Sequence, residues 1–502
     1  MAGQGTENTS GIPPVKRVPA HPNIDWIRVA EIAFLCGLFA AGLLVRLWPI
    51  WKVHFWDEAV YLQNAEVICC GKNNYSELSS RPLLLSLLYA GLFRVWHNVY
   101  AASLLVAALN ALGPLLLYRA GRTLHGRPAG IIASLLLAFS PSFAQWGNTL
   151  LTDCPALTLT LLAFCLLLKA VAADSMVWLA LAGFVTGLSG LMRFTALVTL
   201  FVYPFYFLRK GRLLQRAMWF GLGVGLSLGP YLLWTRLAYG SFLGTLRLAI
   251  ANVAGSVEPR LYYLQNFGEV FPWITVAGGV LWFVAWLQDS LVTWKREGEE
   301  IVIRIGQRAP RLRLASDAIL WGWALLVLVY FSHLPHKELR YIAPLAVPWL
   351  LLAGRGLAIL TQGRTGQTRA LGIGVLVLVL GYSFAPIRER FRVPLISPYI
   401  SEEKEVADYL NQQAKRKGLL YCNFNCPVFG YYTWLAVHVL QKQDMRFYSA
   451  FPDDMPEDGY LIIYKQVPKE PTVAWVEGDP HFRRMKEFPS MVVYEYHQAR
   501  FP

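Results

Sequence analysis

Charge is what this chain has least of. Asp, Glu, Lys and Arg make up 16% of its 502 residues, while 55% are hydrophobic and 14% aromatic. Soluble domains carry about 25% charged residues, so an ordinary soluble globular protein is excluded. Histidine is scarce at 9 residues, and none of the 7 cysteines falls in a zinc-binding spacing. Cys36 and Cys165 lie in apolar runs and Cys69 and Cys70 are adjacent. Cys422 and Cys426 could pair in an oxidising compartment, although a spacing of four says little. Residues 1–26 contain no apolar stretch, which excludes a cleavable signal peptide there and leaves the first long apolar run to direct insertion. No internal repeat or low-complexity segment is evident.

Long apolar runs take the place of the missing charge. Crossing a bilayer takes about 20 apolar residues. Runs near that length occupy 28–49, 99–118, 129–146, 155–171, 177–191, 194–208, 216–235, 271–288, 317–332, 341–354 and 370–386. They predict a mainly α, polytopic membrane protein with about 11 spans. The formal net charge of +14 does not indicate nucleic acid, because many Lys and Arg stand in short loops where they set topology. Residues 82–96 are apolar but short and contain Arg94, so they are expected to lie along the membrane surface. With that choice the loops expected inside hold twenty Lys and Arg, against ten outside. The N-terminal tail 1–27 is then cytoplasmic, and loops 50–98, 147–154, 236–270 and 333–340 lie on the outer face. From 387 to 502 charged and aromatic residues mix without a spanning run. A helix is expected over 402–416, with strands at Gly418–Phe424, Met445–Tyr448, Tyr460–Tyr464 and Met491–Tyr496. These form a small extracytoplasmic α/β domain.

The loop after the first run reads Phe55-Trp56-Asp57-Glu58-Ala59-Val60-Tyr61. Carboxylates at a membrane edge are costly and point to function. Asp57 equally suits the cap of a helix beginning at Glu58. On such a helix Asp57 and Tyr61 share a face, whereas Asp57 and Glu58 diverge by about 100° and can divide labour. Asp153 stands just before a span, where it also suits a helix start. Arg81, Arg193, His336, Lys337 and Arg340 gather on the same expected face. Each singly suits a residue snorkelling to lipid headgroups. Together they form a basic surface suited to a membrane-embedded anion such as a lipid phosphate.

The motif FWDEAVYLQNAEVI at 55–68 resembles the first outer loop of GT-C glycosyltransferases, among them protein O-mannosyltransferases and lipid A aminoarabinose transferases. Ser80-Arg81-Pro82 resembles their Lys/Arg-Pro step, with Arg where the aminoarabinose transferases have Lys. LLTDCPALTLTLLAF and GLSGLMRFTALVTLF resemble their second acidic loop and short basic turn. HKELRYIAPLAVPWLLLAG resembles their late segment and also the HKE motif of dolichol-dependent mannosyltransferases. The resemblance runs in order over roughly residues 25–390 and makes 28–386 the catalytic membrane domain.

The resemblance implies transfer of a sugar from a polyprenyl-phosphate donor to an acceptor hydroxyl, with inversion. Asp57 would be the general base, and Glu58 and Asp153 would orient the acceptor or a cation. Arg81, Arg193, His336, Lys337 and Arg340 would bind the donor phosphate and stabilise it as it leaves. Trp56, Tyr61, Tyr262 and Tyr263 are the candidate substrate contacts. No cofactor is required outright, although adjacent carboxylates could hold Mg or Mn. The partners expected are the lipid-linked donor, membrane lipids and a glycan, lipid or protein acceptor in a bacterial or archaeal plasma membrane. A transporter or lipid flippase is the rival reading. Transporters place charges near the midplane and often show repeats, neither of which is read here. A sensor or scaffold leaves the acidic pair unexplained.

Overall fold

The computed structural model describes residues 26–50, 53, 55–207, 212–252, 258–290, 293–297, 300–304, 311–361, 366–396, 401–414, 418–440, 455, 457–467 and 471–499. The chain begins with α1 (Trp26–Leu47), α2 (Trp56–Cys70), α3 (Leu84–Phe93) and α4 (Val99–His125). A helical stretch follows as α5 (Arg127–Ala138), α6 (Pro141–Asn148), α7 (Asp153–Ala173) and α8 (Met176–Met192). Then come a 3-10 segment Phe194–Phe201, α9 (Pro204–Phe207), α10 (Leu213–Tyr239), α11 (Gly244–Asn252), α12 (Tyr262–Gln265), α13 (Phe267–Val270) and α14 (Trp273–Ser290). A hairpin of β1 (Thr293–Glu297) and β2 (Glu300–Arg304) precedes α15 (Arg311–His333), the 3-10 segment Leu339–Leu345, α16 (Ala346–Ala358) and α17 (Gly366–Arg388).

Each of the eleven apolar runs falls on helix. Among the described residues, six helices are long and apolar enough to cross a membrane, or seven if α5 and α6 form one bent span. The differences from the sequence reading have local causes. The run 129–146 bends by 56° where Ser140-Pro141 interrupts it. The run 194–208 is a 3-10 turn followed by a four-residue helix rather than one rod. The surface helix expected over 82–96 is shorter, at Leu84–Phe93. The loop 292–313 contains a β-hairpin.

Small residues let the helices approach closely. A Cβ at Gly183 would stand 2.1 Å from the Phe220 carbonyl oxygen, and one at Gly223 would stand 1.9 Å from that of Ala180. These glycines press α8 onto α10, as small residues do between membrane helices. The Leu339–Thr361 segment is the most enclosed of the candidate spans. It packs against α5 and α14 beside buried Phe164, Tyr203 and Trp323.

After residue 400 the apolar runs end. Helix α18 (Glu402–Gln413) leads to β3 (Leu419–Cys422), α19 (Cys426–Tyr432) and β4 (Ala436–Val439). The chain closes with β5 (Gly459–Tyr464), α20 (Val473–Glu477), β6 (Phe482–Glu487) and β7 (Met491–Tyr496). Among the described residues the strands form one sheet in the order β4-β3-β5-β7-β6. Strand β3 is parallel to β4 and β5, while β7 is antiparallel to β5 and β6. The sheet is buried on both faces, with Leu420, Ile462 and Val493 in one layer and Tyr421, Leu461 and Tyr494 in the other. The strand expected at Met445–Tyr448 lies outside the described residues. Cys422 and Cys426 are disulfide-bonded, as are Cys69 and Cys70.

Candidate active site

Helix α2 carries the acidic pair to the end of the bundle that meets the C-terminal sheet domain. The expected helix start is corrected by two residues: Phe55 is the N-cap and the helix begins at Trp56. Asp57 is therefore free of capping duty. Glu58 performs it, accepting the Phe55 amide proton at 3.3 Å through Oε2 and the Leu150 amide proton at 3.0 Å through Oε1. Glu58 thus holds two backbone amides and ties the start of α2 to the loop before Asp153.

Asp57 is gripped from two sides. Arg81 Nη2 is 2.9 Å from its Oδ1, and Arg340 Nη2 donates to its Oδ2 at 2.7 Å. Arg340 Nη1 also stands 3.8 Å from Asp153 Oδ2. Asp153 is fully buried and bound by Arg193 through Nε and Nη1, each at 3.1 Å. The ends of this row are carboxylates. Glu77 accepts Arg81 Nε at 2.7 Å, and Glu338 accepts Arg340 Nε at 2.5 Å. Arginine suits such bridging, because its planar fork satisfies two carboxylates at once.

The electrostatics follow from the pairing. Burial disfavours the charged form of Asp57, but the Arg81 and Arg340 guanidinium groups outweigh it and hold the carboxyl down at about 2. Burial likewise acts against ionised Glu338, and its hydrogen bond and attraction to Arg340 keep it below the usual carboxylate range. Arg81 loses hydration on burial, yet Asp57 and Glu77 push its pKa up.

Of the residues named from sequence, Asp57, Arg81, Asp153, Arg193 and Arg340 converge. Tyr61 joins their edge, its hydroxyl 3.4 Å from the Thr152 hydroxyl that also accepts from Arg193 Nη1. Trp56 meets the end of the row, donating to Glu77 Oε1 at 3.0 Å, and packs against the C-terminal core. His336 stands at the edge of the cluster, its Nε2 3.1 Å from Glu338 Oε1 and its ring edge-on to Tyr341 at 5.7 Å. Lys337 is not brought to it. Its buried ammonium donates to the carbonyls of Leu334 at 2.6 Å and Glu258 at 2.9 Å. Tyr263 is buried and Tyr262 meets it edge-on at 5.3 Å. Sequence reasoning missed Glu77, Glu338 and Tyr341, whose ring lies 5.0 Å from the Arg193 guanidinium. The i, i+4 spacing of Glu77 and Arg81 was the available signal for the first. As for Mg or Mn, the adjacent pair does not suit a metal: Glu58 is committed to amides and Asp57 to arginines. Among the described residues no group of three His, Cys, Asp or Glu side chains is placed to hold one.

Residues 80–234 match the family model described as dolichyl-phosphate-mannose-protein mannosyltransferase. That span holds Arg81, Asp153 and Arg193, while Asp57 and Arg340 lie outside it. The ArnT structure from Cupriavidus metallidurans, solved bound to undecaprenyl phosphate, superposes with TM-score 0.62 at 14% identity, covering 95% of this chain and 99% of ArnT. The chain has the GT-C fold. The oligosaccharyltransferase of Archaeoglobus fulgidus shares this GT-C architecture, with TM-score 0.60 at 11% identity over 94% of this chain and 75% of that one. No curated protein sequence matches. The GT-C fold and the family match together support a polytopic membrane glycosyltransferase, as the motif order implied.

Proposed function

We propose that this protein moves a sugar from a polyprenyl-phosphate donor to an acceptor hydroxyl, by one inverting displacement on the extracytoplasmic face. The observation that carries the reading is Asp57 held between Arg81 and Arg340. The ArnT likeness, in which the relative binds undecaprenyl phosphate, supports a lipid-phosphate donor. Asp57 is the general base in this scheme. A carboxyl held near 2 is weakly basic, so the two arginines must loosen their grip before it can act. An incoming donor phosphate supplies the competitor. Arg81 and Arg340 turn from carboxylate to phosphate, Asp57 gains basicity, and the same guanidinium groups stabilise the charge that grows as the phosphate leaves. The acceptor proton becomes acidic as its oxygen bonds to the oxocarbenium-like anomeric carbon, which a freed carboxylate can then accept. Asp153 fixes Arg193 and the far side of Arg340.

About eleven spans with a cytoplasmic N-terminus and an extracytoplasmic C-terminal domain, in a bacterial or archaeal plasma membrane, complete the proposal. A reporter fused after Pro502 tests the orientation, since it should be active only outside the cytoplasm. The chemistry is tested by presenting the purified chain with undecaprenyl-phosphate-linked sugars and acceptor extracts. Transfer with inverted anomeric configuration, read by NMR, is expected; retention of configuration would overturn the one-step scheme.

A further inference from the structure

A second polar site lies away from the arginine row, in a cleft of about 400 Å³ at the seam between the helical bundle and the C-terminal domain. Its walls come from four separate parts of the chain. Glu66 belongs to α2, His97 and Tyr100 flank the start of α4, Lys404 is on α18, and Tyr431 and Tyr432 end α19. The volume falls within the range of small-ligand pockets, about 300–1,000 Å³.

The charges in the cleft are already balanced. Glu66 is buried, with His97 Nε2 3.2 Å from Oε1 and Lys72 Nζ 3.0 Å from Oε2. Lys404 is held by Asp408 at 2.6 Å. An incoming phosphate or carboxylate would meet buried Glu66 and compete with Asp408 for Lys404, and the lining offers it no arginine fork of the kind found in the other row, so an anion is disfavoured. A purely apolar ligand would strip water from these groups without replacing its hydrogen bonds. Tyr100, Tyr431 and Tyr432 are partly exposed and line the cleft, and aromatic rings set among polar groups suit a hydroxylated ring. Tyr431 and Tyr432 meet edge-on at 5.2 Å and are backed by the ammonium groups of Lys72 and Lys404, at 5.8 and 5.6 Å from their ring centres.

Position links the cleft to the chemistry. Glu66 is nine residues beyond Asp57 on α2, about 14 Å along the axis and on the opposite face. The cleft is therefore separate from the donor's arginines. Tyr432 spans the gap, its ring in the cleft and its hydroxyl donating at 2.9 Å to the carbonyl of Val53, three residues before Trp56. We infer that this cleft binds a neutral sugar unit of a glycan acceptor, remote from the hydroxyl that reacts. The inference rests on the glycosyltransferase reading of the arginine row.

The test uses the full chain in lipid nanodiscs, because sugar-headed detergents would compete. Native mass spectrometry would be run with a mixture of neutral oligosaccharides and, separately, with undecaprenyl phosphate. The expected result is an oligosaccharide adduct that Tyr100→Ala and Tyr431→Ala each weaken about tenfold, consistent with the loss of an aromatic contact. Undecaprenyl phosphate binding should be unchanged in both. Tyr431→Phe should restore most of the binding, which separates ring contact from misfolding. Absence of any adduct, or adducts indifferent to these changes, would overturn the cleft as a sugar site. Loss of undecaprenyl phosphate binding on Arg81→Ala should leave the oligosaccharide adduct intact. If Arg81→Ala leaves undecaprenyl phosphate binding unchanged instead, the donor reading fails while the cleft stands or falls on its own adduct.

Discussion

Two clusters of buried charge in this protein look alike on paper and differ in what surrounds them. At the end of α4 remote from the C-terminal domain, Asp317 accepts His125 Nε2 at 2.7 Å and Trp282 Nε1 at 3.1 Å, and pairs with Arg355. Asp317 and His125 are each 1% exposed. Asp57, between Arg81 and Arg340, is 18% exposed, and its arginines are 26% and 16% exposed. The first cluster pins α4, α14, α15 and α16 together and admits nothing. The second alternates arginines with carboxylates and leaves part of that row exposed, which is the access the proposed phosphate exchange requires. Burial and pairing are common to both clusters, and the difference in exposure is what singles out the Asp57 row as the candidate site.

Substitutions that remove a single charge should separate the two. Asp57→Asn is expected to lower turnover by about 10³-fold, within the range for losing a general base, with the protein still folded in membranes. Asp317→Asn is expected to act on folding, costing about 3–5 kcal/mol as a broken buried ion pair does, read as lost thermal stability. If Asp317→Asn instead spared stability and abolished turnover, the division between the clusters would be reversed. Arg81→Ala should weaken undecaprenyl phosphate binding by about 10–100-fold, the worth of a charged hydrogen bond, and Arg81→Lys by less, because it keeps charge without the fork. Equal affinities in a binding titration would remove Arg81 from the donor site.

The smallest effect is one of pH. An Asp carboxyl held at about 2 contributes stability that is fully present above about pH 4 and is lost as pH falls through 2. Removing Arg81 raises that pKa, so the acid limb of a melting-temperature profile should shift to higher pH in Arg81→Ala. Superimposable acid limbs would mean that the Asp57–Arg81 pair contributes nothing.

The membrane class, the places of the eleven helical runs and the strands around 419, 460 and 491 were legible because apolar length and period are local properties. The strand Phe482–Glu487 was not, since its edge position leaves charged residues on a half-exposed surface. Nor was Ala436–Val439, a four-residue strand defined by pairing with β3. In the site, residue types at a membrane edge gave Asp57, Arg81, Asp153, Arg193 and Arg340. Their pairing was invisible, as Asp57 and Arg340 are 283 positions apart. Glu58 and Lys337 show the converse. Their types suited an orienting carboxylate and a phosphate-binding cation, but backbone amides and carbonyls engage them, and only tertiary geometry reveals such contacts.

The central claim is that Asp57 is the base freed when a lipid phosphate takes its arginines. Single-turnover release of undecaprenyl phosphate from an undecaprenyl-phosphate sugar, measured in nanodiscs alongside donor affinity, tests it most directly. The account predicts that Asp57→Asn binds the donor at least as tightly as the unaltered protein, because the arginines no longer have a carboxylate to leave, and yet releases almost no product. Product release at the unaltered rate would contradict it.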